Sequence, residues 1–496
     1  MEEFLFGYLN YFTKRLNDIC NEKIIENKEK FLKEAELKIK KDLEKLLAPS
    51  ICWLLWIEKS KNDLPGKTEK EKFEFFANKY SSKLEKIYPD LEKIIKSYLN
   101  NELYFYEKII KKIEENFNII RKIFKIRNKK LKQIKIADYS DRHYKGFRTV
   151  FINFGEKIIK IKPFHFSFNE NLFLIFKEID SSLLKNFQNY IRIDNWWFSE
   201  FIEYKGKVNN EEAEVFYYDI GKLLALAYCF NGVDFHMENI IAFKNTPIIL
   251  DAESFLTNFS IFKNKRLNKN ILATGFLENK RNKQLTSAIF GGKKKLISFT
   301  DPVIYFRNTT RMFIRYKKFS NFKQHNRIFV NNKMANPTLF SKEIIKGFFD
   351  CYNKILEKKT EIINILERLE NYYTRVILRK TSFYTILIRH TTQPLNFPLD
   401  KFKNKLSKTL VQNSRNFHKI NKSNLDRVVK YEVDSILNQE IPIFWQDINR
   451  KTLYYPEGKI ENFFERTAKE VVLEKIESLS FKDLDSKIKI IKRYLK

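Results

Sequence analysis

Apolar residues recur three and four positions apart through the first quarter of the chain: Phe4, Leu5, Tyr8, Leu9 and Phe12, then Leu43, Leu46 and Leu47, then Ile109, Ile110 and Ile113. That period lays them along one face of a helix, so residues 1–136 are expected to form a mainly helical packing domain. Beyond it the pattern changes. Residues 149–154 and 157–162 alternate on either side of Gly155-Glu156, and residues 240–243 and 246–250 do so on either side of Lys244-Asn245. Each pair reads as strand, turn and strand. Val376, Ile377 and Leu378, between Arg375 and Arg379, form a further β-like run, and residues 221–227 (GKLLALA) read as a helix.

The second hairpin follows the stretch Gly232-Val233-Asp234-Phe235-His236-Met237-Glu238-Asn239 and runs into Asp251-Ala252-Glu253. A kinase catalytic loop sets a base Asp five residues before a metal-binding Asn, and a hairpin then delivers a second metal-binding Asp. Asp234, Asn239 and Asp251 have that order and spacing. Nucleotide phosphates bring Mg²⁺, a hard ion that takes oxygen ligands, and Asn239, Asp251 and Glu253 could supply them. Asp251 and Glu253 lie two apart, so an extended backbone turns both to one face. A D-x-H-x-x-N string or a D-x-E pair alone is common in loops, where Asp and Asn make turns and caps; their order and the intervening hairpin carry the reading. The Gly of a D-F-G triplet is missing, and none of the 12 glycines builds a G-x-G-x-x-G or Walker-type loop. An ordinary protein kinase is therefore not expected.

A phosphate-holding lysine is needed upstream. Lys162, at the end of the first hairpin and just before Pro163, is the best placed; the alternative is that Lys157, Lys160 and Lys162 form the wet edge of a strand.

At this point the chain resembles a known family. Asp141-Arg142-His143, Lys162-Pro163, Trp196-Trp197-Phe198-Ser199-Glu200-Phe201, the helix at residues 221–227, residues 231–239 and Asp251-Ala252-Glu253 together resemble the dehydratase domain of class II lanthipeptide synthetases. Downstream, Arg375, Arg379 and Thr381 look like the family's R-x-x-x-R-x-T segment, and Glu440-Ile441-Pro442-Ile443-Phe444 looks like its I-P-x-F motif. The resemblance implies an α+β fold: a lipid-kinase-like bilobal kinase core with an N-terminal helical domain and a helical C-terminal region. It implies a dehydratase that phosphorylates Ser and Thr of a ribosomal precursor peptide with ATP and Mg²⁺, then eliminates phosphate to leave dehydroalanine or dehydrobutyrine. By carry-over Lys162, Asp234, His236, Asn239, Asp251 and Glu253 would serve phosphorylation, and Asp141, His143, Arg375 and Thr381 elimination. The proton acceptor of the elimination stays unassigned between His143 and Lys162. Two departures concern the elimination half: Ser140 stands where a Gly is usual, and residues 141–150 carry one extra residue around Phe147-Arg148. A kinase without elimination, and a basic binding protein with a vestigial kinase fold, are the alternatives.

The expected division is 1–136 (helical), 137–260 (kinase-like core), 261–365 (activation-loop and kinase-activating region, with the Gly291-Gly292-Lys293-Lys294-Lys295 loop) and 366–496 (the elimination residues, ending in helices). With 496 residues and 43% hydrophobic content, several cores can form. The formal charge of +32 is diffuse, since acidic residues are interleaved with the cations. No nucleic-acid motif accompanies it, so specific nucleic-acid binding is not expected. The field equally favours ATP and an acidic leader segment. Cys20, Cys52, Cys229 and Cys351 lack metal-ligand spacing, which argues against a disulfide framework and structural zinc and for the cytoplasm. No secretion signal or transmembrane segment is visible. Nothing resembles the family's zinc cyclase, so ring formation is expected to need a separate cyclase, with a reductase as another possible partner.

Overall fold

The computed structural model describes residues 1–20, 24–61, 64–137, 140–163, 170–193, 196–262, 269–278, 286–292, 299–319, 324–417 and 420–496. Its N-terminal part is helical: α1 (Glu2–Ile19), α2 (Lys28–Lys61), α3 (Glu69–Tyr80), the one-turn α4 (Leu84–Ile87) and α5 (Pro89–Ile123). α3 opens with a Thr68/Glu71 capping box and α5 with a proline in its first turn, where a missing N–H costs nothing. Phe4, Leu5, Phe12, Leu43, Leu47, Ile109, Ile110 and Ile113, marked by the helical period, are buried together. The end of the segment expected to be mainly helical is instead a strand, β1 (Gln133–Ile136).

β1 is the edge of a five-stranded antiparallel sheet with β2 (Val150–Asn153), β3 (Ile158–Lys162), β4 (Ile191–Ile193) and β5 (Trp196–Glu200), in the order β1-β2-β3-β5-β4. Val150, Ile152, Ile159, Ile161 and Phe198 join the core of the N-terminal helices. The helical domain thus covers one face of the sheet and leaves the other to the site.

A second core lies beyond α6 (Glu170–Ile179) and the short β6 (Lys207–Val208). It is centred on α7 (Asn210–Cys229), which carries the GKLLALA stretch, all of it buried. After α7 come the loop that carries Asp234 and the hairpin β7 (Ile240–Phe243) and β8 (Thr246–Ile249). α7 crosses α8 (Ser341–Glu357) at backbone contact. A Cβ on Gly221 would lie 2.1 Å from the Ile344 carbonyl oxygen, and one on Gly347 1.9 Å from that of Tyr218, so only glycine fits either place. Between them lie the two-residue pair β9 (Thr286–Ser287) and β10 (Gly291–Gly292), the hairpin β11 (Phe299–Tyr305) and β12 (Phe313–Phe319), and β13 (Phe329–Val330) with β14 (Lys333–Met334). Gly291 and Gly292 of the expected lysine-rich loop form β10, whereas Lys293, Lys294 and Lys295 lie outside the described residues.

Beyond α9 (Lys359–Glu367) the expected β-like run at Val376, Ile377 and Leu378 lies just after a strand rather than in one, and the chain forms the expected helices. It also folds a four-stranded antiparallel sheet of β15 (Tyr373–Arg375), β16 (Trp445–Asp447), β17 (Leu453–Tyr455) and β18 (Gly458–Ile460). Strands this short carry too few alternations to register as a pattern. Around it are α10 (Thr381–Thr391), α11 (Leu399–Asn413) and α12 (Lys422–Leu437), while α13 (Ala468–Ser478) and α14 (Phe481–Tyr494) return to pack on α7 and α8. No helix among the described residues is long and apolar enough to cross a membrane.

One buried ionic network joins the N-terminal helices to the C-terminal region. Glu102 of α5, fully buried, accepts from Arg148 Nη1 at 2.8 Å and Nη2 at 2.6 Å and from Arg142 Nε at 2.9 Å. Arg142 Nη1 continues to the Asn438 carbonyl at 2.8 Å, and Glu440 accepts from the Gly146 N–H at 3.0 Å. Burial would raise the Glu102 pKa, but Arg148 and Arg142 prevail and hold it at about 2. Replacing Glu102 by Gln leaves two guanidinium groups short of a counter-charge in a dry place, at an expected cost of about 3 kcal/mol or more. The folded pKa is depressed, so this stabilisation is complete above the ordinary carboxylate range and fades as pH falls towards about 2. Urea unfolding should show a gap between the wild type and Glu102→Gln at pH 7 that narrows at pH 3.

Candidate active site

The pleat of β3 sets the first half of the site. Ile159 and Ile161 point into the core, and Lys160 and Lys162 to the opposite face. Lys162 Nζ donates to Asp251 Oδ2 at 2.5 Å. Burial alone would depress the Lys162 ammonium, but Asp251 outweighs it and the pKa lies above the ordinary lysine value. Burial likewise works against the Asp251 carboxylate, and Lys162 holds its pKa below the usual range. Among the described residues Lys160 has no such carboxylate partner; burial and the charge of Lys162 push it down to about 7. Its Nζ donates to Tyr190 Oη at 2.9 Å, and Tyr190 Oη donates to the Leu250 carbonyl at 2.7 Å. This chain of bonds ties the sheet to the residue before Asp251. The sequence pattern carried a signal for Lys160, since it shares the face of Lys162, and none for Tyr190.

The loop after α7 is laced to the segment that follows β8. Val233 N–H donates to the Ser254 carbonyl at 3.1 Å, Leu256 N–H to Phe230 at 2.9 Å, and Leu250 N–H to Asn239 at 2.9 Å. Phe235, fully buried, donates its N–H to Thr274 at 2.9 Å. This leaves Asp234 at φ 64, a left-handed conformation that a non-glycine residue keeps only when its surroundings impose it. Asn239 Nδ2 donates to the Asp234 carbonyl at 2.8 Å, and His236 Nε2 lies 3.6 Å from Asp234 Oδ1. Withdrawal from bulk water raises the Asp234 pKa, with Asp251 and Glu253 adding to the rise and His236 and Arg375 opposing it.

Arg375 reaches the same cleft from the C-terminal sheet. β15 pairs with β16, Arg375 N–H donates to the Glu253 carbonyl at 2.9 Å, and its guanidinium pairs with the Glu253 carboxylate. Arg379, by contrast, is buried with Glu432 and Ser414 at 2.8–2.9 Å and holds the turn before α10. Thr381 is the first residue of α10, and among the described residues no hydrogen bond joins its hydroxyl to the other candidates.

The I-P-x-F segment orients His143. Ile441 N–H donates to the Arg142 carbonyl at 2.7 Å, and His143 Nδ1 lies 2.8 Å from the Ile441 carbonyl oxygen. A carbonyl only accepts, so Nδ1 carries the proton and Nε2 of the neutral ring is left as acceptor. Burial and the charge of Arg375 lower the His143 pKa, against the pull of Asp141 and Glu253. Asp141, His143, Arg375 and Glu253 therefore share one electrostatic neighbourhood. Ser140, where the family usually has Gly, accepts the Thr149 N–H at 3.0 Å and so closes the turn with its hydroxyl.

For a hard cation the available donors are the Asn239 amide oxygen, left over once Nδ2 is bonded, and the Asp251 and Glu253 carboxylates. Among the described residues, no three His, Cys, Asp or Glu side chains cluster as a metal site. The set is thus one amide and two carboxylates, each acid already beside a protein cation.

A family model described as "Domain of unknown function (DUF4135)" matches residues 88–447. The chain is also 25% identical over 507 aligned positions to the lacticin 481/lactococcin biosynthesis protein LcnDR2 of Lactococcus lactis subsp. lactis, an alignment covering 93% of this chain and 53% of that protein. The chain spans about half the length of the curated relative it matches. It belongs to the DUF4135 family and, with this relative, to the class II lanthipeptide synthetase-like proteins.

Proposed function

We propose that this protein acts in lanthipeptide maturation, as a dehydratase that phosphorylates Ser and Thr of a precursor peptide and then eliminates the phosphate. Support for the role comes from the family and from the relative's part in lacticin 481/lactococcin biosynthesis. Support for the chemistry comes above all from the convergence of Lys162–Asp251 and Arg375–Glu253 beside the Asp234 loop. A sheet that presents a lysine to an acid just beyond a hairpin, with a base Asp and an Asn in the preceding loop, is the layout expected of a kinase-like core. On this reading the fold is related to lipid kinases.

ATP would supply the phosphoryl group, and Mg²⁺ would neutralise its charge, held by Asn239, Asp251 and Glu253. In phosphorylation Lys162 orients phosphate oxygens, and Asp234 accepts the proton of the substrate hydroxyl. His236 steadies Asp234. In elimination a base removes the Cα proton, the Cα–H electron pair forms the Cα=Cβ bond, and the Cβ–O pair leaves with the phosphate. Arg375 receives the departing phosphate. His143 suits the base better than Lys162, because its Nε2 is an unprotonated acceptor while Asp251 keeps Lys162 protonated. Asp141 steadies the charge that His143 gains.

The intact mass of a Ser/Thr-rich precursor peptide, incubated with the protein, ATP and Mg²⁺, should fall by one water per modified residue. Asp234→Asn should abolish this, and an unchanged peptide mass with the wild-type protein counts against the reading. Arg375→Ala should slow elimination by roughly 10²- to 10³-fold and let phosphopeptide accumulate; unmodified peptide from that variant, with its fold intact, counts against the role of Arg375. Supplied directly with phosphopeptide, the wild type should lose elimination only below the ordinary imidazole range, because the His143 pKa is lowered and the ring must be neutral to act. A profile that instead rises through the lysine range would give the base to a lysine.

A further inference from the structure

A second polar pocket of about 260 Å³ lies on the far side of α7, lined by Tyr228, Lys269, Lys475, Ser480, Lys482 and Ser486 among others. Lys475, on the last turn of α13, is 2% exposed. Its ammonium sits 3.5 Å from the centre of the Tyr228 ring, and among the described residues it has no carboxylate partner. The nearby carboxylate, Asp483, is taken: it accepts from Tyr228 Oη at 2.9 Å and Tyr352 Oη at 2.7 Å and pairs with Lys487 at 3.1 Å.

Burying an ammonium without a counter-charge is costly, and a cation–π contact offsets only part of that. The aromatic ring also faces a single side of the group, so N–H donors remain for the pocket that Lys475 lines. Asp483 also lines the pocket, but its carboxylate is engaged as described and the lysines outnumber it. Lys269 and Lys482 stand exposed at the mouth. Ser480 caps α14, accepting the Asp483 N–H at 3.2 Å and keeping its own hydroxyl proton to donate. The N-terminal end of a 14-residue helix, favourable to negative charge, therefore opens on the same space.

We infer that this pocket is a binding site for a tetrahedral oxyanion of the phosphate class, with the Lys475 ammonium as its buried anchor and the start of α14 as its second wall. Burial has also pushed Lys475 down to about 8, with Asp483 opposing the shift. The position gives the ligand a consequence. Tyr228 is on the last turn of α7, just before the loop that carries Asp234, and Lys269 precedes the turn Ile271–Thr274, whose Thr274 carbonyl holds the Phe235 N–H. An anion held by Lys475, which rests on the Tyr228 ring, and by Lys269 braces the loop from behind, outside the cleft. The inference does not depend on the proposed reaction.

The probe is inorganic phosphate, titrated at constant ionic strength with chloride as the balancing salt and followed by thermal unfolding and calorimetry. Phosphate should raise the Tm of the wild type. Lys475→Met, which keeps the side chain's length without its charge, should bind about tenfold more weakly or worse, at unchanged circular dichroism. Lys482→Ala, an exposed position, should bind more weakly without loss of fold, and decides the matter if Lys475→Met does not fold. No phosphate effect on the wild type, or equal affinity in the wild type and the folded variants, overturns the site. ATP without magnesium separates a nucleotide source: a Tm rise that survives Lys475→Met but vanishes in Lys162→Ala belongs to the cleft and counts against this pocket as its seat.

Discussion

Three carboxylates in one partly dry cleft repel one another, and the structure is organised around cancelling that repulsion. Asp234, Asp251 and Glu253 all influence the same titration, and Lys162, Lys160 and Arg375 oppose them. A close unit-charge pair attracts by about 4 kcal/mol at the effective dielectric of a protein surface, and far less in water. Asp251 and Glu253 therefore each hold a cation in place, and the two cations come from different parts of the chain: Lys162 from the five-stranded sheet, Arg375 from the C-terminal sheet. The cleft draws these parts together because none of its charges is comfortable alone. The same two cations are the groups that the proposed chemistry needs at phosphate, so one set of side chains serves both as counter-ions and as phosphate ligands.

A second layer of charge fixes where His143 stands. Glu102 from α5 grips Arg142 and Arg148, Arg142 reaches the backbone at Asn438, and Ile441 closes on both Arg142 and His143. Arg142 lies between Asp141 and His143 in the chain, so its ion pair with a distant helix sets the orientation of its neighbours. The N-terminal helices thus act on the site through a salt bridge as well as through packing. An error anywhere in that network would displace the imidazole while leaving the Lys162–Asp251 pair intact, which makes the residues proposed for elimination the more vulnerable set.

The hairpins and the loop were legible because their signals are local. Alternation placed β2 with β3 and β7 with β8, and the five-residue step from Asp234 to Asn239 corresponds to one bonded loop, Asn239 Nδ2 on the Asp234 carbonyl. The Arg375–Glu253 pair and the Arg142–Glu102 pair span more than a hundred and some forty residues, respectively, and no periodicity records a contact across that distance. The four-stranded sheet was hidden for a related reason: β15 meets β16 only after some seventy residues of intervening chain, and each strand is three residues long. Thr381 was legible as a motif member, yet its place at the head of α10 shows no bond to the others.

Lysine makes the limit sharpest, because this chain is crowded with it and the residue type says little. Lys160 and Lys162 are two apart on one strand, yet one is pushed down to about 7 and the other is raised above its ordinary value. The difference lies in which of them meets Asp251. Lys475 looks in sequence like any other basic residue near a helix end, and it is buried against an aromatic ring with a pocket before it. A net charge of +32 spread over the surface would attract anions without preference. Selectivity requires the few cations that burial has stripped of water, since only those gain more from an anion than they lose in solvation. Lys162, Arg375 and Lys475 meet that condition, and the first two already have carboxylates beside them.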